Sequence, residues 1–162
     1  MRKIMFLLML IASTVVFIIG CQNRTETECV KVYVVDAQMM QLIPVSTYIP
    51  KCDGEEKAKR LIKVLIKGFD ENPKIRRLIP DIPNCMSVEV VDRCAVVDIK
   101  NKMLENHPDG RSLEKLTVYS IVNTLTEVEG IDCVRFTVNG EVTKKFMGYM
   151  DMKQVFRKNT LM

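Results

Sequence analysis

Apolar residues fall at helical period in two stretches of the chain and in extended, often alternating runs in five others. Between Asp53 and Gly68, Ala58, Leu61, Ile62, Leu65 and Ile66 recur at i, i+3, i+4, i+7 and i+8, which predicts a helix with one buried face. Asp53 is placed as its N-cap with Glu56 three residues on, and Gly68 is placed to stop it. The opposite face carries Lys57, Lys59, Arg60, Lys63 and Lys67. A solvated face is the expected reading of that stripe; contact with anionic headgroups is the alternative. Ser112–Glu127 predicts the second helix, with Leu113, Leu116, Val118, Ile121, Val122, Leu125 and Val128 toward one side and Glu114, Lys115 and Glu127 elsewhere. Ser112 is expected to cap its start and Gly130 to follow its end. Thr117, Ser120, Asn123, Thr124 and Thr126 are poor helix formers, so packing rather than propensity must hold this helix, with Ile121 and Leu125 as core residues.

The extended runs come in pairs. Val30–Ala37 and Gln41–Ile49 are separated by three residues and read as a hairpin, with Pro44 marking an edge or irregular strand. Met86–Val91 and Cys94–Lys100 flank Asp92-Arg93, a two-residue turn that sets Val90 opposite Ala95 and Val88 opposite Val97. Arg93 is an awkward turn residue, because a type I′ turn requires positive φ there. Val134, Phe136 and Val138 alternate before Asn139-Gly140, a strong hairpin signal, with Glu141–Lys145 turning back. Asp70–Pro83 reads as a proline-bearing connection, Asn101–Arg111 as a loop ending in a turn, Phe146–Met152 as extended or loop, and Lys153–Met162 as a frayed tail. Helices separated by hairpins predict an α+β fold, with two helices packed on one mostly antiparallel sheet.

The N-terminus has a different character. Arg2-Lys3 precedes Ile4–Ile19, an uncharged and almost wholly apolar run ending in Ile18-Ile19-Gly20-Cys21. Gly20 before Cys21, with branched apolar residues upstream, resembles the lipobox of bacterial lipoproteins, in which the cysteine is diacylated and the leader is cut before it. Sixteen helical residues rise only about 24 Å against a hydrocarbon core of roughly 30 Å, short for a membrane span. The expected organisation is a signal peptide over 1–20, a lipidated Cys21 and tether over 21–29, a folded domain over 30–152 and a tail over 153–162. Anchoring through Cys21 would place the domain on the extracytoplasmic face of the cell membrane, as in a Gram-positive-type bacterium.

Composition narrows the function less than it narrows the class. The 162 residues are 48% hydrophobic and 27% charged, ordinary for a folded domain. Net charge is +4, and removing Arg2 and Lys3 with the leader leaves +2, which singles out no polyanion and gives no reason to expect nucleic acid. Besides Cys21, the cysteines are Cys29, Cys52, Cys85, Cys94 and Cys133, without a CxxC or a nearby histidine. They are expected to be mostly unpaired, with one or two disulfides as the rival reading. No cofactor motif occurs: the seven glycines form neither a dinucleotide fingerprint nor a P-loop, and there is no serine elbow. His107 is expected to be a surface loop residue, and Asp36, Asp98 and Asp151, each near the end of an extended run, to bind local donors rather than a cation. No catalytic or metal-binding set is expected.

In their order along the chain, Val32–Ala37 (VYVVDA), Ile43-Pro44-Val45, Thr47–Lys51 (TYIPK), Ser87–Val90 (SVEV), Val97-Asp98-Ile99, Leu116–Glu127 (LTVYSIVNTLTE), Val138-Asn139-Gly140 and Gly148–Met152 (GYMDM) resemble the GerM, or GerMN, domain of sporulation and spore germination proteins. The helical run followed by Val-Asn-Gly is the specific part, and this chain has one copy. The resemblance implies a fold like the ring-building motifs of secretion channels. It also implies a non-enzymatic lipoprotein that assembles with envelope or membrane proteins, as the two-copy sporulation lipoprotein does for the channel between mother cell and forespore. Self-assembly is a further option that it leaves open. A regulatory ectodomain acting on a membrane sensor kinase or a cell-wall enzyme is the alternative that it implies. Arg93, where glycine is usual, and the cysteine positions depart from the family pattern.

Overall fold

A computed structural model of the chain describes residues 26–142 and 148–161. Among these residues the strands form two three-stranded sheets rather than the single sheet expected. In the first, β1 (Thr27–Asp36) pairs antiparallel with β2 (Leu42–Pro50), from Thr27 opposite Pro50 to Val35 opposite Leu42. β1 therefore begins within the stretch expected to be tether, and Cys29 is one of its residues. On its other side β1 meets β3 (Ile75–Arg76), a two-residue strand within the expected connection, opposite Val35 and Asp36. The second sheet has the order β4-β5-β6. β4 (Met86–Val91) and β5 (Cys94–Ile99) form the expected hairpin in the expected register. Both turn residues have positive φ, +48° at Asp92 and +62° at Arg93, and the Arg93 guanidinium is held by two hydrogen bonds to Asp132, at 2.7 and 2.8 Å. β6 (Cys133–Val138) runs parallel to β5, from Cys94 opposite Cys133 to Ile99 opposite Val138. A parallel neighbour needs a long crossover, here supplied by the helices between β5 and β6.

The first helix, α1 (Gly54–Lys67), buries Ala58, Leu61, Ile62, Leu65 and Ile66, the residues its periodicity selects. Asp53 occupies the N-cap position but makes no side-chain cap. At the other end Gly68, at φ +68°, donates to the Val64 carbonyl, and Arg77 closes the terminus by donating to the carbonyls of Ile66 and Lys67. A Cβ on Gly68 would come within 2.9 Å of the Arg77 guanidinium. A short helix, α2 (Asn101–Glu105), replaces the expected loop and inserts Met103 into the core.

α3 (Arg111–Leu125) starts after Gly110 rather than at Ser112 and ends at Leu125; Gly130 lies in the turn that leads to β6. Both of its flanks are covered. Its apolar residues Val118, Ile121, Val122 and Leu125 join α1, β4, β5 and β6 in the main core, while Leu116 packs with Val35, Leu42 and Leu78 in a smaller cluster. Its polar residues are buried too. Ser120 Oγ donates to the Tyr33 carbonyl (2.6 Å), and Thr124 Oγ1 accepts the Tyr33 N–H (2.9 Å). Two side chains one helical turn apart thus take the place of a strand where β3 does not reach. Because the Tyr33 N–H points to α3, its partner Pro44 sits at a non-hydrogen-bonded pair, where the missing proline N–H leaves no ladder bond unmade.

Residues 153–161 are docked rather than frayed. Phe156 exchanges backbone hydrogen bonds of 2.8 and 2.9 Å with Val134 and lays its ring edge-on to Phe136, with centroids 5.4 Å apart. Asn123 on α3 donates to the Asn159 carbonyl (2.8 Å) and accepts its N–H (2.9 Å). Phe156 thereby covers the outer edge of β6 at Val134.

Candidate interaction surface

The second sheet is covered at one end by Phe156 and ends at the other in β4, whose outer edge pairs with no strand among the described residues. Val91 and Cys94 flank a two-residue turn and form a hydrogen-bonded pair, so Glu89 and Ser87 also bond to β5. Val90, Val88 and Met86 then direct their N–H and C=O groups away from β5. The outward N–H of Val90 is taken by Glu55 of α1 at 3.0 Å. The hydrogen bond from Lys59, with that from Val90, holds the Glu55 carboxyl below its ordinary pKa. Beyond this contact α1 and β4 enclose a groove of about 440 Å³, with Ile62, Ile66, Met86 and Val88 among its apolar lining. Lys59, Lys63 and Lys67, four residues apart, form its cationic wall, and Asp81 is also among the lining residues.

The basic stripe of α1 divides between paired and unpaired cations. Lys57 bridges to Glu28 at 2.7 Å, Lys59 to Glu55 at 2.6 Å and Arg60 to Glu56 at 3.1 Å. Among the described residues Lys63 and Lys67 form no ion pair, and Asp81 is engaged by Arg77 at 3.7 Å. A second groove of about 580 Å³ is lined by residues that include Met39, Met40, Lys115 and Leu161, with Met40 largely exposed.

The residues considered for chemistry are placed apart. Asp36 accepts the N–H groups of Met40 and Gln41 across the β1–β2 turn. Asp98 is bonded by Lys100, Thr137 and the Gly140 N–H; burial opposes its ionisation, but these donors outweigh burial and hold its pKa below the ordinary range. Asp151 accepts the Lys153 N–H. Among the described residues no group of three His, Cys, Asp or Glu side chains is placed to hold a metal ion.

His107 is buried, not on the surface as expected. Its Nε2 lies 2.6 Å from Thr117 Oγ1 and its Nδ1 2.7 Å from the Pro108 carbonyl, and burial depresses its pKa. Burial raises the Cys85 thiol, and burial followed by the adjacent Cys133 thiol pushes Cys94 up to about 12, so neither is poised as a thiolate nucleophile. All five described cysteines are free. Cys21 lies outside the described residues. Glu114, expected on the polar side of its helix, is instead 0% exposed and accepts the N–H groups of Tyr149 and Met150, each at 3.0 Å. Within its own helix nothing distinguishes it from a surface glutamate.

With this geometry, a sequence model described as "Germane: Sporulation and spore germination" matches residues 31–144. The chain belongs to the Germane family. Solved structures of the family type share its fold. The tandem GerMN domains of the sporulation protein GerM from Bacillus subtilis superpose with a TM-score of 0.67 at 22% identity, over 82% of this chain and 46% of that one. The first GerMN domain of the same protein gives 0.60 at 20% identity, over 83% of this chain and 98% of that one. A Clostridium perfringens protein described as a candidate lipoprotein gives 0.59 at 17% identity, over 85% and 92%. The chain thus spans less than half the length of the tandem structure. Among curated protein sequences nothing matches.

No helix among the described residues is long and apolar enough to cross a membrane. The α+β Germane fold accounts for the sequence resemblance and carries the α1–β4 groove on its open edge.

Proposed function

We propose that this Germane domain is a non-enzymatic interaction module, held at the membrane by a diacylated Cys21, that assembles with envelope proteins in sporulation or germination. The observation that carries the reading is the outer edge of β4, which pairs with no strand among the described residues and runs beside an apolar, cation-lined groove. The lipobox-like Ile18-Ile19-Gly20-Cys21 supplies the anchor, since two or three acyl chains hold a protein stably at about 0.8 kcal/mol per buried methylene. A ring-building mode of assembly fits the family resemblance, and one domain copy makes it depend on partner chains or on self-association.

Photocrosslinking in living cells, followed by identification of the captured proteins, tests the reading. Recovery of a defined envelope protein or of a second copy supports it; recovery of neither removes it. Palmitate labelling tests the anchor separately, with label lost in Cys21→Ala as the expected result and an unlabelled native chain as the refutation.

A further inference from the structure

The α1–β4 groove is specific enough in charge and spacing to define its occupant. We propose that it binds an extended acidic segment of a partner protein, added as a strand beside Met86 and Val88 of β4, with acidic side chains at alternate positions facing Lys59, Lys63 and Lys67. This rests on the reading of the domain as an interaction module and names one site through which it acts.

Three observations lead to it. The contact between Glu55 and Val90 closes one end of the edge; by the register, the outward backbone groups beyond it belong to Met86 and Val88, which are only 5% and 3% exposed and have to be uncovered by the incoming strand. α1 runs antiparallel to β4: Glu55 contacts Val90, while Ile66 and Lys67 line the groove with Asn84 and Met86. Lysines four residues apart on a helix are separated by about 6 Å along its axis, close to the roughly 6.6 Å between alternate residues of a strand. One row of alternating side chains therefore keeps step with the unpaired ammonium groups of Lys63 and Lys67 and with Lys59, which the row shares with Glu55.

Charge sets the alternation. Side chains on the α1 side of the added strand meet Lys59, Lys63 and Lys67 over Ile62 and Ile66. Those on the opposite face lie beside Ser87 and Glu89, both exposed, where a carboxylate would be repelled. A segment that is acidic at every position fits less well than one acidic at every second position. Asp81 is the acidic group in the lining and is drawn to Arg77.

Fluorescence anisotropy of the full chain in detergent micelles tests the site. The probe is a labelled seven-residue peptide with glutamate at alternate positions and threonine between. The double variant Lys63→Glu, Lys67→Glu, both surface positions, should weaken binding at least about tenfold. N-methylation of the alternate peptide nitrogens, which leaves every charge and the protein unchanged, should also weaken it about tenfold by removing strand pairing. A peptide of the same composition with its glutamates contiguous should bind more weakly. Absence of binding by the alternating peptide overturns the proposal. So does binding that the lysine variant lowers but N-methylation does not, which is charge attraction alone. Binding of phosphatidylglycerol vesicles that the lysine variant abolishes, without peptide binding, overturns it in favour of a lipid surface. If the peptide fails while photocrosslinking still captures an envelope protein, the interaction module stands and this groove is not its site.

Discussion

The helices α1 and α3 are of nearly equal length and use polar residues in opposite ways. α1 (Gly54–Lys67) buries one stripe and turns its charges outward, where they form ion pairs or stand in solvent. α3 (Arg111–Leu125) buries ten residues, of which Glu114, Thr117, Ser120, Asn123 and Thr124 are polar. Each of these meets a partner from another part of the chain: Tyr149 and Met150, His107, Tyr33, Asn159, and Tyr33 again. The polar residues that make α3 a weak helix by propensity are the ones that fasten it to β1, the α2–α3 loop and the C-terminal segment. α1 is left free on one side, and that side carries the groove. One helix binds the domain together; the other presents it.

Substitutions test the contrast. The largest effect is expected from Leu125→Ala, which opens a cavity at a fully buried position of α3 and should cost roughly 2–5 kcal/mol in urea unfolding; less than about 1 kcal/mol would mean that the site collapses freely. Glu114→Ala should cost roughly 1–3 kcal/mol, because two N–H groups lose their buried carboxyl acceptor. A cost near zero would place Glu114 with the surface glutamates of α1. Thr124→Val keeps the shape and removes the acceptor for the Tyr33 N–H, with an expected loss of about 1–2 kcal/mol; the same stability as the native chain would show that water replaces the hydroxyl.

His107 gives a graded test. Burial sets its folded pKa below the unfolded value of about 6.5, so between the two the unfolded chain binds more protons. Its contribution is full above about pH 6.5 and declines as pH falls through the folded pKa. The urea midpoint should fall from pH 7 to pH 5, and less so in His107→Gln; equal slopes in both proteins would remove His107 as the cause. The smallest effect is expected on α1, where Lys63→Ala should change stability by no more than about 0.5 kcal/mol. A larger loss would mean that the outward face of α1 also holds the fold.

By itself the sequence determined what depends on residues close together in the chain. The period of α1 selected its five buried residues, Gly68 marked its end, and the two-residue turn at Asp92-Arg93 set the β4–β5 register. Registers and helix faces follow from spacing over a few residues, so a short window contains them. The family was legible for a related reason, since its diagnostic run is one continuous helix followed by Val138-Asn139-Gly140. Of the candidate surface, the register could be read and the lysine stripe could be seen, but not that α1 lies along the open edge of β4. Tertiary structure alone decided that placement, the division into two sheets, the burial of Glu114 and His107, and the docking of Phe156 and Asn159. Glu114 bonds residues 35 and 36 positions away, and Asn123 bonds one 36 positions away. At such separations a polar residue has the same local pattern whether water or a distant backbone group satisfies it, and only the folded chain brings that group within reach.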